Sequence, residues 1–219
     1  RIQDILDSLN GAKFFSKLDF RGGYHQIPID ERDKQKTAFV VNQGLWEYNV
    51  MPQGIKNGPP TFQRIMDRLL AQLDSNCALA YIDDIVVYSA SVTEHFKHLE
   101  QVLSLLHGAR FQLNSLKCEL FKNEIRFLGH IINENGIASC PENTRAIIDL
   151  PVPKNTKAAI SFIKMAEYYH NHIENFSVIA DPIFELTRKN AVFEWNERRQ
   201  HAFDTIKNLL TSKPLLRFP

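Results

Sequence analysis

The spacing of apolar residues predicts a mixture of helices and strands over roughly the first 140 residues. Apolar side chains that recur every three or four positions predict helices over residues 2–9, 62–73 and 92–106. Short apolar runs predict strands over residues 14–20, 37–41, 45–50, 78–82, 85–88 and 127–132. Asn42-Gln43-Gly44 and Asn133-Glu134-Asn135-Gly136 are typical of hairpin turns between such strands.

The pattern becomes helical after Pro141. Further helices are predicted over residues 142–149, 157–173, 178–188 and 197–211. Pro151-Val152-Pro153 is typical of a linker between the mixed region and the helical region. Gly58-Pro59-Pro60 interrupts the chain before the helix at residues 62–73, and Thr61 is available to cap that helix. The pattern therefore predicts an α+β protein with an all-helical end.

Composition excludes several broad classes of protein. The chain has 219 residues, 44% apolar and 23% charged, which is typical of a globular protein rather than a disordered tail, a collagen or a coiled-coil rod. A net charge of +1 argues against a small, strongly basic nucleic-acid module. The three cysteines lie too far apart to indicate a disulfide framework or a zinc knuckle, which favours a reducing compartment. No apolar run approaches the roughly 18 residues of a membrane helix.

The near-zero net charge hides a regional difference. Residues 61–153 contain eight Lys and Arg against eleven Asp and Glu, whereas residues 154–219 contain ten against seven. An acidic middle region suits bound cations, and a basic helical end suits contact with a phosphate backbone. An ordinary solvated surface produces the same counts, so this difference is consistent with both interpretations.

Two adjacent aspartates, Asp83 and Asp84, separate two apolar strands. Strands disfavour aspartate, and burial of an unpaired carboxylate costs several kcal/mol. A solvated turn is one interpretation, although Asn-Gly or Asp-Gly is the commoner turn sequence. Asp19 also lies in an apolar run, so Asp19 and Asp83 meet at one sheet end if residues 14–20 and 78–88 are antiparallel neighbours. Converging carboxylates suit Mg²⁺, and a pair of such ions stabilises in-line phosphoryl transfer.

Four segments of the chain carry recognisable motifs. They are residues 17–27 (KLDFRGGYHQI), residues 51–63 (MPQGIKNGPPTFQ), Tyr81-Ile82-Asp83-Asp84 and Phe127-Leu128-Gly129-His130. In this order they resemble the first and second palm motifs, the signature hairpin and the primer-gripping hairpin of reverse transcriptases from Gypsy-type LTR retrotransposons. The tail is similar to the thumb and connection of that family at Ser161-Phe162, Tyr168-Tyr169, Asp181-Pro182, Phe193-Glu194-Trp195 and Ala202-Phe203. The resemblance covers essentially the whole chain.

The resemblance implies a domain organisation. Residues 1–140 would form the reverse-transcriptase palm, an antiparallel sheet backed by helices, with the remainder of the fingers. Residues 141–219 would form the all-helical thumb and connection, ending before an RNase H domain. The family places a basic fingers segment upstream, and this chain has no initiator Met. We therefore expect a segment of a pol polyprotein that is poorly active alone.

The resemblance also implies catalytic roles. Asp19 and Asp83 are the expected metal ligands, with Asp84 as a weaker ligand or electrostatic partner and the backbone carbonyl of Phe20 as a further ligand. Lys117 lies where a family lysine is thought to protonate the pyrophosphate leaving group; a solvated surface lysine is the simpler interpretation of this position. Two Mg²⁺ ions are the implied cofactors, and Mn²⁺ is an expected substitute.

The nucleotide site implied by the resemblance contains Phe20, Tyr24, Gln53 and Gly54. Tyr24 falls where the family places an aromatic ring under the incoming sugar, and a ring in that place clashes with a 2′-OH. Without the motif, a core aromatic is the simpler interpretation of Tyr24. Gly54 allows close approach of the backbone. The residues expected to hold the primer 3′ end are Phe127, Leu128, Gly129 and His130.

The helical tail departs from the family pattern. Lys164 replaces the usual glycine of the thumb helix, His170-Asn171 replaces the usual basic pair, and His172 replaces the aromatic that follows. Fewer fixed positive charges weaken the tracking of phosphates. A metal site formed by His170 and His172 is the less favoured alternative, because positions i and i+2 of a helix point apart.

The function implied is RNA-directed DNA synthesis, in which a primer 3′-OH attacks the α-phosphate of a dNTP on an RNA or DNA template. The expected partners are RNA/DNA and DNA/DNA primer-templates, dNTP, and the upstream fingers and downstream RNase H domain of the same polyprotein, with no membrane. The expected location is a cytoplasmic retrotransposon particle. Two alternatives stay open, which are a non-catalytic remnant that acts in binding or structure and a two-metal nuclease.

Overall fold

The computed structural model of the chain describes residues 2–170, 173–188 and 191–211. These residues form two compact units, each with its own hydrophobic core. The first, which we call the sheet unit, spans Gly11–Ile125. The second, the helix-rich unit, combines the described residues of Arg1–Asn10 and Arg126–Pro219. Nowhere in the described part of the chain is a helix both long and apolar enough to cross a membrane.

The described residues contain both strands and helices, and the α-helices after residue 140 follow one another without an intervening strand, as expected of an α+β protein. The strands are β1 (Phe14–Asp19), β2 (Phe39–Val41), β3 (Gly44–Trp46), β4 (Ala78–Tyr81), β5 (Asp84–Ser89), β6 (Glu119–Lys122), β7 (Glu124–Phe127), β8 (His130–Asn133) and β9 (Gly136–Ser139). The α-helices are α1 (Ile2–Asp7), α2 (Glu31–Lys34), α3 (Gly58–Leu70), α4 (Val92–Gly108), α5 (Pro141–Ile148), α6 (Thr156–Glu167), α7 (Phe176–Phe184) and α8 (Glu197–Thr211). Short 3₁₀ helices occur at Gly23–Gln26, Gln35–Thr37 and Glu185–Thr187.

The sheet unit is built on an antiparallel sheet with the strand order β4-β5-β1-β6. The pairing of β1 with β5 confirms the predicted adjacency of these strands. The apolar pattern does not predict β6, because Glu-Leu-Phe-Lys is too short and too polar to give a strand signal. Strands β2 and β3 form a separate hairpin at the predicted place, and all of their residues are exposed.

Helix α3 begins earlier than the sequence pattern predicts. Pro59 and Pro60 lie in its first turn, where an N–H has no partner within the helix and proline is therefore tolerated. The N–H of Thr61 donates to the carbonyl of Asn57 at 3.1 Å as part of the helical ladder. The predicted capping role of Thr61 is therefore wrong.

The core of the sheet unit lies between the sheet and the helices α3 and α4. Leu18 of β1 and Ile85 of β5 are directly paired and belong to the same buried cluster as Phe62 of α3. Side chains alternate between the two faces of a strand. The next residues, Asp19 and Asp84, therefore lie on the face of the sheet that points away from these helices.

A chain of buried polar side chains joins β1, β5 and α4. His95 is 0% exposed, with Nε2 at 2.7 Å from Ser16 Oγ and Nδ1 at 2.9 Å from Ser89 Oγ. Ser89 Oγ also lies 2.8 Å from His98 Nδ1. The N–H of Phe121 in β6 donates to Ser16 Oγ at 3.1 Å. These bonds satisfy polar atoms that are costly to bury alone, and they link the strands to the helix.

Strands β7, β8 and β9 form a sheet in that order, and from Arg126 onward this sheet belongs to the helix-rich unit. Leu128 and Gly129 connect β7 to β8 with φ angles of 48° and 72°. The single strand predicted over residues 127–132 is therefore wrong, because two consecutive left-handed residues close a hairpin turn in its middle.

The helices of this unit share a core that includes Ile147 of α5 and Phe162 of α6. The predicted linker at residues 151–153 thus connects two helices, α5 and α6, that share one core. The helix predicted over residues 157–173 ends at Glu167. The division into domains at residues 1–140 and 141–219 stays a prediction.

The buried His95 predicts a loss of stability in acid. Burial lowers the pKa of His95 below its ordinary value of 6.5, and the neighbouring His98 lowers it further. The unfolded chain therefore binds more protons than the folded chain below about pH 6.5, so the stability present above this pH is lost as the pH falls. Urea unfolding between pH 5 and pH 8 measures this loss.

The variant His95→Phe should show a weaker pH dependence but a free energy of unfolding at pH 8 that is lower by about 1–3 kcal/mol, since Ser16 and Ser89 lose a partner. Replacement of the exposed His107 by Gln, on the same helix, is the matched control. An unchanged pH dependence in His95→Phe would contradict the assignment.

Candidate active site

The aspartates predicted to share a metal lie at adjoining ends of β1 and β5. Asp19 is the last residue of β1 and Asp84 the first of β5, and they are partners in the antiparallel register. Asp84 also pairs with Tyr81 of β4. The hairpin turn therefore consists of Ile82 and Asp83. The predicted turn of Asp83 and Asp84 is wrong by one residue, and Asp84 belongs to a strand.

Gln63 of α3 holds this turn in place. Ile82 has a φ of 54°, a left-handed conformation that is unfavourable for a β-branched residue. Its N–H donates to Gln63 Oε1 at 2.7 Å, and Gln63 Nε2 donates to the Ala80 carbonyl at 2.9 Å. The sequence reasoning does not identify Gln63 as a site residue, although it ends the second motif.

Asp83 carries an unsatisfied carboxylate oxygen. Its Oδ1 is buried and has no hydrogen-bond partner among the described residues. Burial raises the pKa of Asp83, and the negative charges of Asp84 and Asp19 raise it further. The three acids are therefore close enough to repel one another. A cation at this end of the sheet would reduce both this repulsion and the cost of burying the charge of Asp83.

Asp84 differs from Asp83 because it has a basic partner. Lys17 Nζ lies 3.1 Å from Asp84 Oδ1, and the two side chains are 22% and 33% exposed. A partly exposed ion pair of this kind contributes at most about 1 kcal/mol to stability. It neutralises Asp84 from within the chain, which favours an electrostatic role for Asp84 over that of a metal ligand.

Gly23 lies beside both the carboxylate of Asp83 and the ring of Phe62. A Cβ atom at position 23 would be 3.2 Å from Asp83 Oδ1 and 3.2 Å from two ring carbons of Phe62. These distances are shorter than ordinary van der Waals contact. A side chain at position 23 would therefore require Asp83 and Phe62 to shift by a few tenths of an ångström.

Tyr24 lies in the same aromatic group as Phe62 and Phe20. The ring centroids of Tyr24 and Phe62 are 5.4 Å apart in an edge-on arrangement, and those of Phe20 and Phe62 are 5.5 Å apart. Burial raises the pKa of Tyr24, and the charge of Asp83 adds to this shift. Phe20 is buried in the core, so its backbone carbonyl is the part suited to contact a ligand.

A cavity of about 330 Å³ opens beside Tyr24. Gly54 and Lys56 line it, so the structure brings together Tyr24 and Gly54 of the predicted nucleotide site. Gln53 is exposed in the adjacent turn and does not line this cavity. Lys56 adds a positive charge to the cavity that the sequence reasoning does not identify.

Lys117 lies in an exposed turn anchored on the backbone of Asp19. The N–H of Asn114 donates to the Asp19 carbonyl at 2.8 Å, and the Asn114 carbonyl accepts the N–H groups of Lys117 and Cys118 at 3.0 and 3.1 Å. The N–H of Asp19 donates to Cys118 Sγ at 3.5 Å. The turn that carries Lys117 is thus attached to the residue expected to bind metal.

The residues predicted for the primer grip form the β7–β8 hairpin of the helix-rich unit. Phe127 and His130 are buried, and Leu128 and Gly129 form the turn. The Leu128 carbonyl accepts bonds from Tyr168 Oη and His130 Nδ1, both at 2.7 Å. Burial lowers the pKa of His130, and the bond to Leu128 opposes this shift in part. These two hydrogen bonds therefore hold the turn of the hairpin in place.

Among the residues that the structure describes, no group of three or more His, Cys, Asp or Glu side chains forms a cluster able to hold a metal ion. The unpaired Oδ1 of Asp83 is nevertheless an atom that suits a cation. His170 Nδ1 donates to the Glu167 carbonyl at 2.7 Å, beyond the end of α6. His172 lies outside the described residues, so the interpretation of His170 and His172 stays a prediction.

Replacement of Gly23 by Ala tests the close packing at the site. Since Phe62 is fully buried and a shift of its ring would disturb the core around it, we expect a loss of about 1–3 kcal/mol in the free energy of unfolding. The matched control is Gly108→Ala at the end of α4, where a Cβ meets nothing within 4 Å. Ala favours a helix over Gly by about 0.5–1 kcal/mol, so the control should be neutral or stabilised. Equal stability of the two variants in urea unfolding would contradict the packing argument.

The chain is similar to several known proteins. Residues 2–132 match the family described as reverse transcriptase (RNA-dependent DNA polymerase). The chain is 36% identical over 219 residues to the retrovirus-related Pol polyprotein from transposon 297 of Drosophila melanogaster, covering 100% of this chain and 21% of that protein. It is 34% identical over 227 residues to the Pol polyprotein from transposon gypsy of the same species, covering 98% and 22%. The chain thus spans about a fifth of the length of these curated relatives.

A solved structure agrees with these relatives. The foamy viral protease-reverse transcriptase dRH in complex with ds DNA aligns with a TM-score of 0.89 and 26% identity, over 99% of this chain and 38% of that chain. The predicted α+β fold is confirmed by this likeness. The family match extends over more than half of the chain and agrees with the motifs at Asp19 and Asp83, so the chain belongs to the reverse transcriptase family and is related to Gypsy-type retrotransposon polyproteins.

Proposed function

We propose that the chain is the part of an RNA-directed DNA polymerase that carries the catalytic carboxylates. The register of β1 and β5 is the observation that carries this proposal, because it pairs Asp19 with Asp84 and leaves Asp83 at the adjoining turn. The family match and the Pol relatives support the same reaction. Since the chain spans about a fifth of those relatives, the activity of the whole protein is part of the proposal.

Asp19 and Asp83, with the Phe20 carbonyl, would hold the Mg²⁺ ions implied by the family. The buried, unpaired Oδ1 of Asp83 supports this assignment, because an acceptor without a partner gains most from a cation. When bound, Mg²⁺ supplies positive charge where negative charge develops on the transferred phosphate. Asp84, already paired with Lys17, would act through its charge.

The incoming dNTP would lie against Tyr24 and the cavity that Gly54 lines. The ring of Tyr24, supported edge-on by Phe62, would exclude a 2′-OH. Gln53 is exposed next to this cavity and would contact the nucleotide from the side. Lys117 would donate a proton to the pyrophosphate leaving group, which lowers the cost of its departure.

The nucleic-acid partner would be a primer-template, either RNA/DNA or DNA/DNA. The complex of the foamy viral enzyme with ds DNA supports such a partner. The hairpin from Phe127 to His130 would hold the primer 3′ end. We further propose that residues 1–140 act as palm and residues 141–219 as thumb and connection. An upstream fingers segment and a downstream RNase H domain of the same polyprotein, in a cytoplasmic particle, complete the proposal.

Substitution of Asp83 by Asn tests the polymerase activity. The amide keeps the size of the side chain but removes its charge, so we expect primer extension to fall by about 10²- to 10³-fold or more. The assay uses the full-length protein with Mg²⁺, dNTP and an RNA template. The matched control is Asp74→Asn, which alters an exposed aspartate before β4 and should extend primers as the wild type does.

Two other outcomes would favour the alternatives. If the wild type extends primers no better than Asp83→Asn, the polymerase proposal fails and a non-catalytic remnant becomes the better description. Template cleavage that depends on Asp83, without any extension, would favour a nuclease.

A further inference from the structure

The side chain of Gln26 joins two segments that are 86 residues apart in the sequence. Gln26 Nε2 donates to the carbonyls of Arg21 and Gln112, both at 2.9 Å. The N–H of Gln112 donates in return to Gln26 Oε1 at 2.7 Å. The N–H of Arg21 donates to the Gln112 carbonyl at 3.0 Å and closes the group. One carboxamide therefore satisfies backbone atoms of both segments.

The first of these segments is the loop after β1, which carries Tyr24. Gly22 begins the loop with a φ of 64°, and the 3₁₀ helix Gly23–Gln26 follows. Gln26 is the last residue of that helix, so its bond to the Arg21 carbonyl closes the loop on itself. Tyr24 lies between these two anchored ends, so they fix the backbone from which its ring extends.

The second segment runs beside the end of β1. Asn114 donates to the Asp19 carbonyl and begins the turn that contains Lys117. Gln112, two residues before Asn114, is the point at which Gln26 attaches. The carboxamide thus connects the loop of the sugar-facing tyrosine to the turn of the lysine that would protonate the leaving group.

We propose that Gln26 is a positioning residue for nucleotide incorporation, which holds the Tyr24 loop against the segment that carries Lys117. The inference rests on the proposed function, because it takes Tyr24 as the residue next to the incoming sugar. Gln26 is only half-buried and is not part of the hydrophobic core of the sheet unit. Its contribution is therefore the placement of these two segments and not the filling of the core.

An amide is required because it combines a donor and an acceptor at one end of the side chain. Glu at this position would accept from the Gln112 N–H but would face the carbonyls of Arg21 and Gln112 without a donor. The side chain of Met has a similar length but carries neither the amide donor nor the amide acceptor. A loosened loop lets Tyr24 move away from the sugar, and a displacement of about 1 Å in a reacting geometry costs up to about 100-fold in rate.

The test measures kcat and KM for dNTP and for rNTP with the full-length protein and its variants Gln26→Met and Gln26→Glu. We expect kcat/KM for dNTP to fall about ten-fold or more in both variants, and the preference for dNTP over rNTP to narrow by a similar factor. Gln101→Met, on the exposed side of α4, is the matched control. It should keep the wild-type kcat/KM for dNTP and the wild-type preference for dNTP over rNTP. Tyr24→Val gives the reference for lost sugar discrimination.

Each outcome decides the proposal. If Tyr24→Val narrows the sugar preference while both Gln26 variants keep it, the inference is wrong and the proposed function stands. A fall in rate at an unchanged sugar preference would also overturn it, because Gln26 would then only stabilise the fold. Absence of extension by the wild type defeats the proposed function and this inference together. If Gln26→Glu does not fold, Gln26→Met decides between these results.

Discussion

The candidate site depends on the register between β1 and β5. Leu18 and Ile85 are paired and buried, and one step further Asp19 opposes Asp84. A slip of one residue in this pairing would separate Asp19 from Asp84 and would break the match between the buried side chains of Leu18 and Ile85. Burial of apolar surface, at about 25 cal/mol per Å², therefore favours the register that places the acids together. The same hydrophobic pattern that folds the sheet brings the aspartates together.

The two acids of the hairpin have different surroundings and so different chemistry. Asp84 lies in a strand and forms an ion pair with Lys17. Asp83 lies in the turn, where one of its carboxylate oxygens is buried and its pKa is raised. Lys17 neutralises Asp84, whereas the buried Oδ1 of Asp83 has no hydrogen-bond partner among the described residues. Gln63 maintains this difference, because it fixes the turn through Ile82 and keeps Asp83 out of the strand.

The positions of the aspartates are predictable from local sequence, whereas the exact turn and the contacts of Gln26 are not. Asp19 and Asp83 stand out because each interrupts a long apolar run. The turn is misplaced by one residue because its left-handed Ile82 is held by Gln63, 19 residues away. The bridge made by Gln26 likewise depends on hydrogen bonds between distant segments, which leave no periodic signal. Long-range polar contacts, and not the apolar pattern, are therefore what sequence reasoning fails to detect here.

The β2–β3 hairpin affects how the isolated chain behaves at high concentration. Val40 and Leu45 oppose each other across its strands and are 79% and 72% exposed, with Trp46 beside them. A two-stranded hairpin without a packed face is marginally stable in water, and its free edges are templates for pairing with other chains. The hairpin is therefore a place at which copies of the isolated chain can associate as the concentration rises.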